Sequence, residues 1–309
     1  MTMTVIRDEF GRALKDAGAL YPELFAVTAD LMYPTRANMF RDAYPDRFVD
    51  VGIQEQNMTG VAAGLATCGK IPVICSYANF TALRTGEQIR DDIAYTNQNV
   101  KIAALSSGLT FGPGGATHQS YEDISMIRAI PNMTVLVPSD AKDTRNAVMA
   151  AVKHVGPVYL RIGRIAEYDI PDTPDEFVIG KATQLREGND IAILAMGPMV
   201  YEAVTAADIL REKGIQARVL NMSTIKPFDN EAALRAATEC LAIISVEEHN
   251  IIGGLYSCIC EAIGGKVACP VIPIGLNDIF PDIGPTYELR KYLGLHHENI
   301  VAKAMEALG

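Results

Sequence analysis

A single glutamate, Glu55, opens a run of small residues in Asp50-Val-Gly-Ile-Gln-Glu-Gln-Asn-Met-Thr-Gly-Val-Ala-Ala-Gly-Leu-Ala66. Gly60 and Gly64 are four apart, and Ala62, Ala63 and Ala66 fill the gaps, so a helix here has a smooth face that a second helix or a flat ligand can approach closely. A glutamate at a helix start is ordinarily a solvated residue favoured by the helix dipole. Next to apolar surface, a carboxyl is instead poised to hold a proton near neutral pH. Downstream, Tyr77 and Phe80 stand where a β-type run ends, able to face one pocket and pack on a planar ring or simply to fill the core. In Ser106-Ser-Gly-Leu-Thr-Phe-Gly-Pro-Gly-Gly-Ala-Thr-His-Gln-Ser-Tyr-Glu-Asp123, a loop with glycines at 108, 112, 114 and 115 delivers Thr117-His118-Gln119 just before a helix. Its backbone is free to come close to something, and the Ser120/Asp123 spacing is that of a capping box. Val158-Tyr-Leu-Arg-Ile-Gly-Arg164 ends a strand in two arginines, suited to a phosphate or carboxylate, or to a salt bridge at a domain boundary.

The elements that must position these residues alternate. Leu24–Thr28, 71–76, 100–106, 133–137 and Val158–Arg161 read as short buried strands, and 6–17, 55–68, 86–97, 121–129 and 140–154 as helices. Continuous apolar strands separated by helices predict a parallel sheet covered on both faces. Pro138-Ser139-Asp140 supplies a turn and a helix N-cap. Asp169-Ile-Pro-Asp-Thr-Pro-Asp-Glu176 reads as an exposed linker, after which a second alternating unit begins. Strands are predicted at 190–196, 217–221 and 241–246, and helices at 200–213, 230–238, 254–263, 287–293 and 299–308. The fold class is α/β, with two doubly wound domains: 1–170, a linker over 171–187, and a smaller domain over 188–309.

Composition narrows the function. Of 309 residues, Lys and Arg supply 27 and Asp and Glu 37, a net charge of −10. That balance argues against nucleic acid or an anionic membrane as a partner. No apolar run reaches the roughly 18 residues of a membrane span, and no secretory leader is visible at the N-terminus, so a cytoplasmic protein is expected. The six cysteines are scattered and read as reduced thiols. There is no phosphate-binding G-x-x-x-x-G-K-[ST], no dinucleotide G-x-G-x-x-G after a strand and no G-x-S-x-G elbow. His296-His297 reads as a surface pair, because no acidic or cysteine partner sits at ligand spacing. No metal site of the chain's own is expected.

Taken together, these stretches resemble the C-terminal half of a transketolase, over nearly the whole chain. The resemblance is carried by Gly52-Ile-Gln-Glu-Gln-Asn57, the Tyr77/Phe80 pair with Arg84 and Gln88-Ile-Arg90, Gly115-Ala-Thr-His-Gln119, Ile130-Pro-Asn-Met133 and Val137-Pro-Ser-Asp-Ala141. Gly156-Pro-Val-Tyr-Leu-Arg161, Val246-Glu-Glu-His-Asn250 and Gly253-Gly-Leu255 extend it. It implies a pyrimidine-binding domain followed by a transketolase C-terminal domain. It further implies ketol transfer from a ketose phosphate to an aldose phosphate with thiamine diphosphate. Glu55 matches the glutamate that bonds the aminopyrimidine N1′ and sets its tautomer. Tyr77 and Phe80 match the aromatics packed on that ring, His118 a residue that bonds substrate hydroxyls, and Arg161 an arginine that holds the sugar phosphate.

The same resemblance implies a missing half. The family's Gly-Asp-Gly, which binds the diphosphate through Mg2+, occurs nowhere in the chain. Since Met1 stands just before a helix, the expectation is a natural split enzyme. Its N-terminal transketolase subunit would hold the Mg2+ and share the cofactor, in an α2β2 heterotetramer. Gly114 stands where the family pattern has Asp, and Ser106 where members often carry a phosphate-binding His. Both substitutions fall in the substrate channel and put the usual phosphopentose specificity in doubt. Rival readings are a deoxyxylulose-phosphate synthase, a 2-oxo acid dehydrogenase β chain and a catalytically silent scaffold. The first is usually one continuous chain, the second lacks the Thr-His-Gln pattern, and the presence of Glu55, both aromatics and His118 speaks against the third.

Overall fold

The computed structural model describes residues 2–309. Two parallel-rich sheets, each covered on both faces, make up the α/β architecture. The first has seven strands in the order Thr224–Lys226, Thr134–Leu136, Val158–Arg161, Lys101–Leu105, Ile71–Tyr77, Leu24–Thr28, Phe48–Asp50, all parallel except the first. On one face, helix Ile6–Leu20 packs on helix Ala141–Lys153 through Phe10, Leu14, Val148 and Val152. On the other lies helix Glu55–Thr67, which buries Met58 and Ala62 and leaves Gly60 and Gly64 exposed.

The second sheet runs Val271–Leu276, Ile243–Asn250, Ile191–Ala195, Ala217–Asn221, Thr183–Arg186, with only the last strand antiparallel. Thr183–Arg186 falls inside the stretch expected to be linker, 171–187, so the linker's end is built into the second sheet. Thr224–Lys226 crosses the other way and extends the first sheet from within the second domain. Asp140 caps its helix as expected, its Oδ1 accepting from the Asp143 N–H at 2.7 Å. Its Oδ2 also accepts from Ile170 N–H and the Thr173 hydroxyl, which ties the acidic segment down. The predicted helix over 86–97 is one α-turn, Gly86–Gln88, running into a π-helical stretch, Ile89–Tyr95, and a further π-turn, Phe80–Arg84, precedes it. Such turns re-aim side chains and are frequent at functional sites. Among the described residues no helix is long and apolar enough to cross a membrane, and all six cysteines are free.

Candidate active site

Glu55 is the first residue of its helix, and Gln54 before it provides no side-chain cap. The carboxylate is 4% exposed. Its bonded partner is a cation: Arg84 Nη1 donates to its Oε1 at 2.8 Å. Arg84 arrives on the first π-turn, and its guanidinium carbon lies 4.7 Å above the Phe80 ring. A cavity beside this pair is lined by Ile53, Gln54, Glu55, Gln56, Asn57 and Arg84. Glu55 and Phe80 therefore lie on two sides of one guanidinium, a planar cation that bonds the carboxylate and stacks on the ring at once.

The second part of the site is a ring cluster at the carboxyl end of strand Ile71–Tyr77, where α/β sheets place ligands. Tyr77 and Phe80 are 5.6 Å apart between centroids. His118 meets Phe80 edge-on at 5.5 Å and Phe111 at 5.2 Å. Thr117 Oγ1 lies 2.9 Å from His118 Nδ1, and Asn79 Nδ2 donates to the Thr117 carbonyl at 2.6 Å, tying the loop to the π-turn. Arg164 closes the cluster, 4.1 Å above Phe111, donating to the Tyr77 hydroxyl at 3.0 Å and to Ser106 Oγ at 3.4 Å. The structure thus brings Tyr77, Phe80, His118 and Ser106 together and adds Arg84, Arg164, Phe111 and Asn79.

Arg161 is not among them. It is 3% exposed, and its Nε donates to Asp123 at 2.9 Å. Its Nη2 is held by the carbonyls of Ser120 and Glu248. Strand Val158–Arg161 ends on it, so it belongs to the core, while Arg164 lies past the strand end and faces the rings. The sequence pointed to two arginines; their distance from the strand end was the signal that separates them.

Asp123 is likewise not half of a capping box. Its carboxylate takes Arg161 and the Tyr159 hydroxyl, and the helix Asp123–Ala129 has no side-chain cap. Gly114 supports His118 directly, since a Cβ there would stand 2.8 Å from His118 Cβ. Ser106 adopts φ +59° and is buried beneath Arg164. The His296-His297 pair does have an acidic partner, brought by helix Met199–Glu212: Glu202 Oε2 lies 2.7 Å from His297 Nδ1. That carboxylate also accepts the His297 backbone N–H at 2.9 Å, so it serves the start of helix His297–Leu308.

Comparison with known proteins gives the family. Residues 3–167 match the transketolase pyrimidine-binding domain and residues 180–300 the transketolase C-terminal domain. The chain belongs to the transketolase family, as a C-terminal subunit of the split type. It is 41% identical over 301 residues to the 6-deoxy-6-sulfo-D-fructose transketolase subunit SqwH of Clostridium sp. (strain MSTE9), covering 97% of this chain and 94% of that one. It is 41% identical over 305 residues to a subunit of the apulose-4-phosphate transketolase of Phocaeicola vulgatus, covering 98% and 97%. A solved structure described as a split-gene transketolase, inactive beta4 tetramer, superposes with a TM-score of 0.89 at 39% identity and covers 99% of both chains.

Proposed function

We propose that this chain is one subunit of a thiamine diphosphate-dependent transketolase that moves a two-carbon ketol unit from a ketose phosphate to an aldose phosphate. The observation that carries the reading is Glu55, buried at a helix head, paired through one oxygen only, linked to the Phe80 ring through Arg84 and lining a cavity. A buried carboxylate with one oxygen unpaired at a cavity fits the ring nitrogen of an aminopyrimidine. The cofactor, when bound, supplies the electron sink for breaking a carbon–carbon bond next to a carbonyl. Glu55 would hold a proton at the pyrimidine N1′ while Arg84 keeps the carboxylate oriented. Tyr77, Phe80 and Phe111 exclude water from one side. Thr117 Oγ1, 2.9 Å from His118 Nδ1, engages one ring nitrogen and leaves Nε2 to bond a sugar oxygen.

Arg164 takes the role that the sequence resemblance placed on Arg161: a cation at the mouth of the ring cluster, suited to the anionic tail of the sugar. Support for a substrate beyond the ordinary pentose phosphates comes from Ser106, and from relatives named for a sulfo-sugar and for apulose 4-phosphate. No residue set near Glu55 resembles a Mg2+ and diphosphate site, so a second, N-terminal chain is assigned that role in an α2β2 assembly. The exposed glycine face of helix Glu55–Thr67 suits close packing between chains, and the related structure assembles as a beta4 tetramer that is inactive. The free thiols suit a cytoplasmic setting.

The test is reconstitution with the diphosphate-binding chain, thiamine diphosphate and Mg2+, followed by a donor panel. Ketol transfer from a ketose phosphate or its sulfonate analogue is the expected result. Decarboxylation of pyruvate in its place, or no turnover on any donor, would overturn the reading.

A further inference from the structure

The glycine-rich loop that presents His118 reads, in the sequence, like a cradle for a ligand. In the fold three of its four glycines face the C-terminal domain. A Cβ on Gly108 would stand 2.2 Å from Glu248 Oε1, one on Gly112 2.2 Å from the Gly284 carbonyl, and one on Gly115 2.8 Å from Ile283 Cγ1. Hydrogen bonds between the loop and the segment 282–286 follow the same direction. Thr286 Oγ1 donates to the Leu109 carbonyl at 3.0 Å, and Gln119 Nε2, from the loop's far end, reaches the Asp282 carbonyl at 3.4 Å.

At the centre is Glu248, 1% exposed, on strand Ile243–Asn250. Its Oε1 accepts the Leu109 N–H and its Oε2 accepts from Arg290 Nε. Arg290 is itself clamped by Glu167, with Nη1 and Nη2 at 2.9 and 2.8 Å from the two carboxylate oxygens. Glu167 belongs to the pyrimidine-binding domain, and Glu248 and Arg290 to the C-terminal domain, so the chain of charges crosses the boundary between domains. A buried carboxylate with both oxygens engaged has one low-energy position, because losing either bond strands a charge in a dry environment. Leu109, two residues before Phe111, is thereby pinned.

We propose that Glu248 is a positioning residue: from the C-terminal domain it sets the register of the loop that carries Phe111 and His118, making that domain the template of the substrate side of the active site. The link to substrate rests on the proposed function; the link to the loop does not. Glu248→Gln keeps an oxygen for the Leu109 N–H and loses the charge facing Arg290, whereas Glu248→Ala loses both. Thr286→Val removes one loop bond at nearly constant shape, which keeps the proposal testable if the Glu248 variants fold poorly.

Amide hydrogen exchange on the full-length chain is the measurement. Glu248→Ala and Thr286→Val are expected to speed exchange in 107–120 by about tenfold or more while the strand Ile191–Ala195 is unchanged, with Glu248→Gln intermediate. In the reconstituted two-chain enzyme the same variants should raise the sugar KM several-fold and leave the Kd for thiamine diphosphate unaltered. Unchanged loop exchange in both Glu248→Ala and Thr286→Val overturns the proposal, as does a loss of protection spread evenly over the chain. If the loop responds but the wild-type assembly transfers no ketol unit, the positioning role holds and the proposed function falls.

Discussion

Glu55 and Arg164 are the residues whose loss should separate chemistry from stability. In the reconstituted enzyme Glu55→Gln should cost at least about 10²–10⁴ in rate, since an amide cannot exchange a proton with the pyrimidine. Thermal unfolding should show the fold retained, because the neighbouring Arg84 is half exposed and can be solvated once unpaired. A variant that kept more than a small fraction of the wild-type rate would remove Glu55 from the proton path. The two arginines make an opposed pair. Arg161→Ala strands Asp123 in the core and should cost about 3–5 kcal/mol of stability, read from urea unfolding. Arg164→Ala should leave unfolding nearly unchanged and weaken phosphorylated sugars by the worth of a charge-assisted bond, about 1.5–3 kcal/mol, through KM. The reverse pattern would return the anion-binding role to Arg161.

Under the proposed function, specificity turns on the loop 106–120, and Gly114 is the position in it that touches His118. Introducing the family's Asp at 114 looks, on paper, like a way to restore a missing substrate bond. The structure predicts a different result. A Cβ at 114 comes within 2.8 Å of His118 Cβ and 3.2 Å of Phe111 Cγ, so both side chains must give way. Gly114→Asp is therefore expected to lower kcat/KM on ordinary and unusual sugars alike, with cofactor affinity unaffected. A selective gain on xylulose 5-phosphate or ribose 5-phosphate would show that the loop adapts and that the glycine is a specificity device. The π-turn Phe80–Arg84 matters for the same reason: it sets Phe80 against the cluster and sends Arg84 to Glu55 from one short segment.

For the whole molecule, the expected behaviour of the isolated chain is folding and self-association without turnover, with only weak thiamine diphosphate binding. Turnover by the chain alone, with cofactor and Mg2+, would contradict the split-site reading. Stability should also carry a signature of Lys101, buried between the sheet and the segment 154–156. Its ammonium donates to Asn99 Oδ1 and to the carbonyls of His154 and Gly156 at 2.6–2.7 Å. Burial nevertheless pushes its pKa down to about 7 from 10.5. Between those values the unfolded chain holds a proton that the folded chain does not. Stability from this group therefore rises with pH across that window, by at most about 1.4 kcal/mol per pH unit. Urea unfolding at several pH values from neutral to mildly alkaline should show the rise in the wild type and a flatter profile in Lys101→Met. Equal slopes in the two chains would mean that the folded lysine stays charged.

What the sequence determined by itself was local order and the inventory of chemistry. Strands Leu24–Thr28 and Ile191–Ala195 lie where their apolar runs predict them, because a strand buried on both faces must be apolar at nearly every position. Glu55 at a helix head, the Tyr77/Phe80 pair and His118 after a glycine-rich loop were also legible, since helix starts and turns are written in short-range residue types. Val271–Leu276 was not, as Pro273 and Gly275 disguise a strand that exists because Ile243–Asn250 offers it a partner. Charged groups were the least legible. Arg161 and Arg164 are the same side chain three positions apart, yet one is consumed by Asp123 and the other faces the rings. The acidic partner of His297 comes from a helix far away in the chain, and Gly108 of the loop answers to Glu248 on a strand of the other domain. A buried charge takes whichever partner the fold brings within bonding distance, because leaving it alone in a dry interior costs more than any local preference. Only the tertiary structure decides that partner.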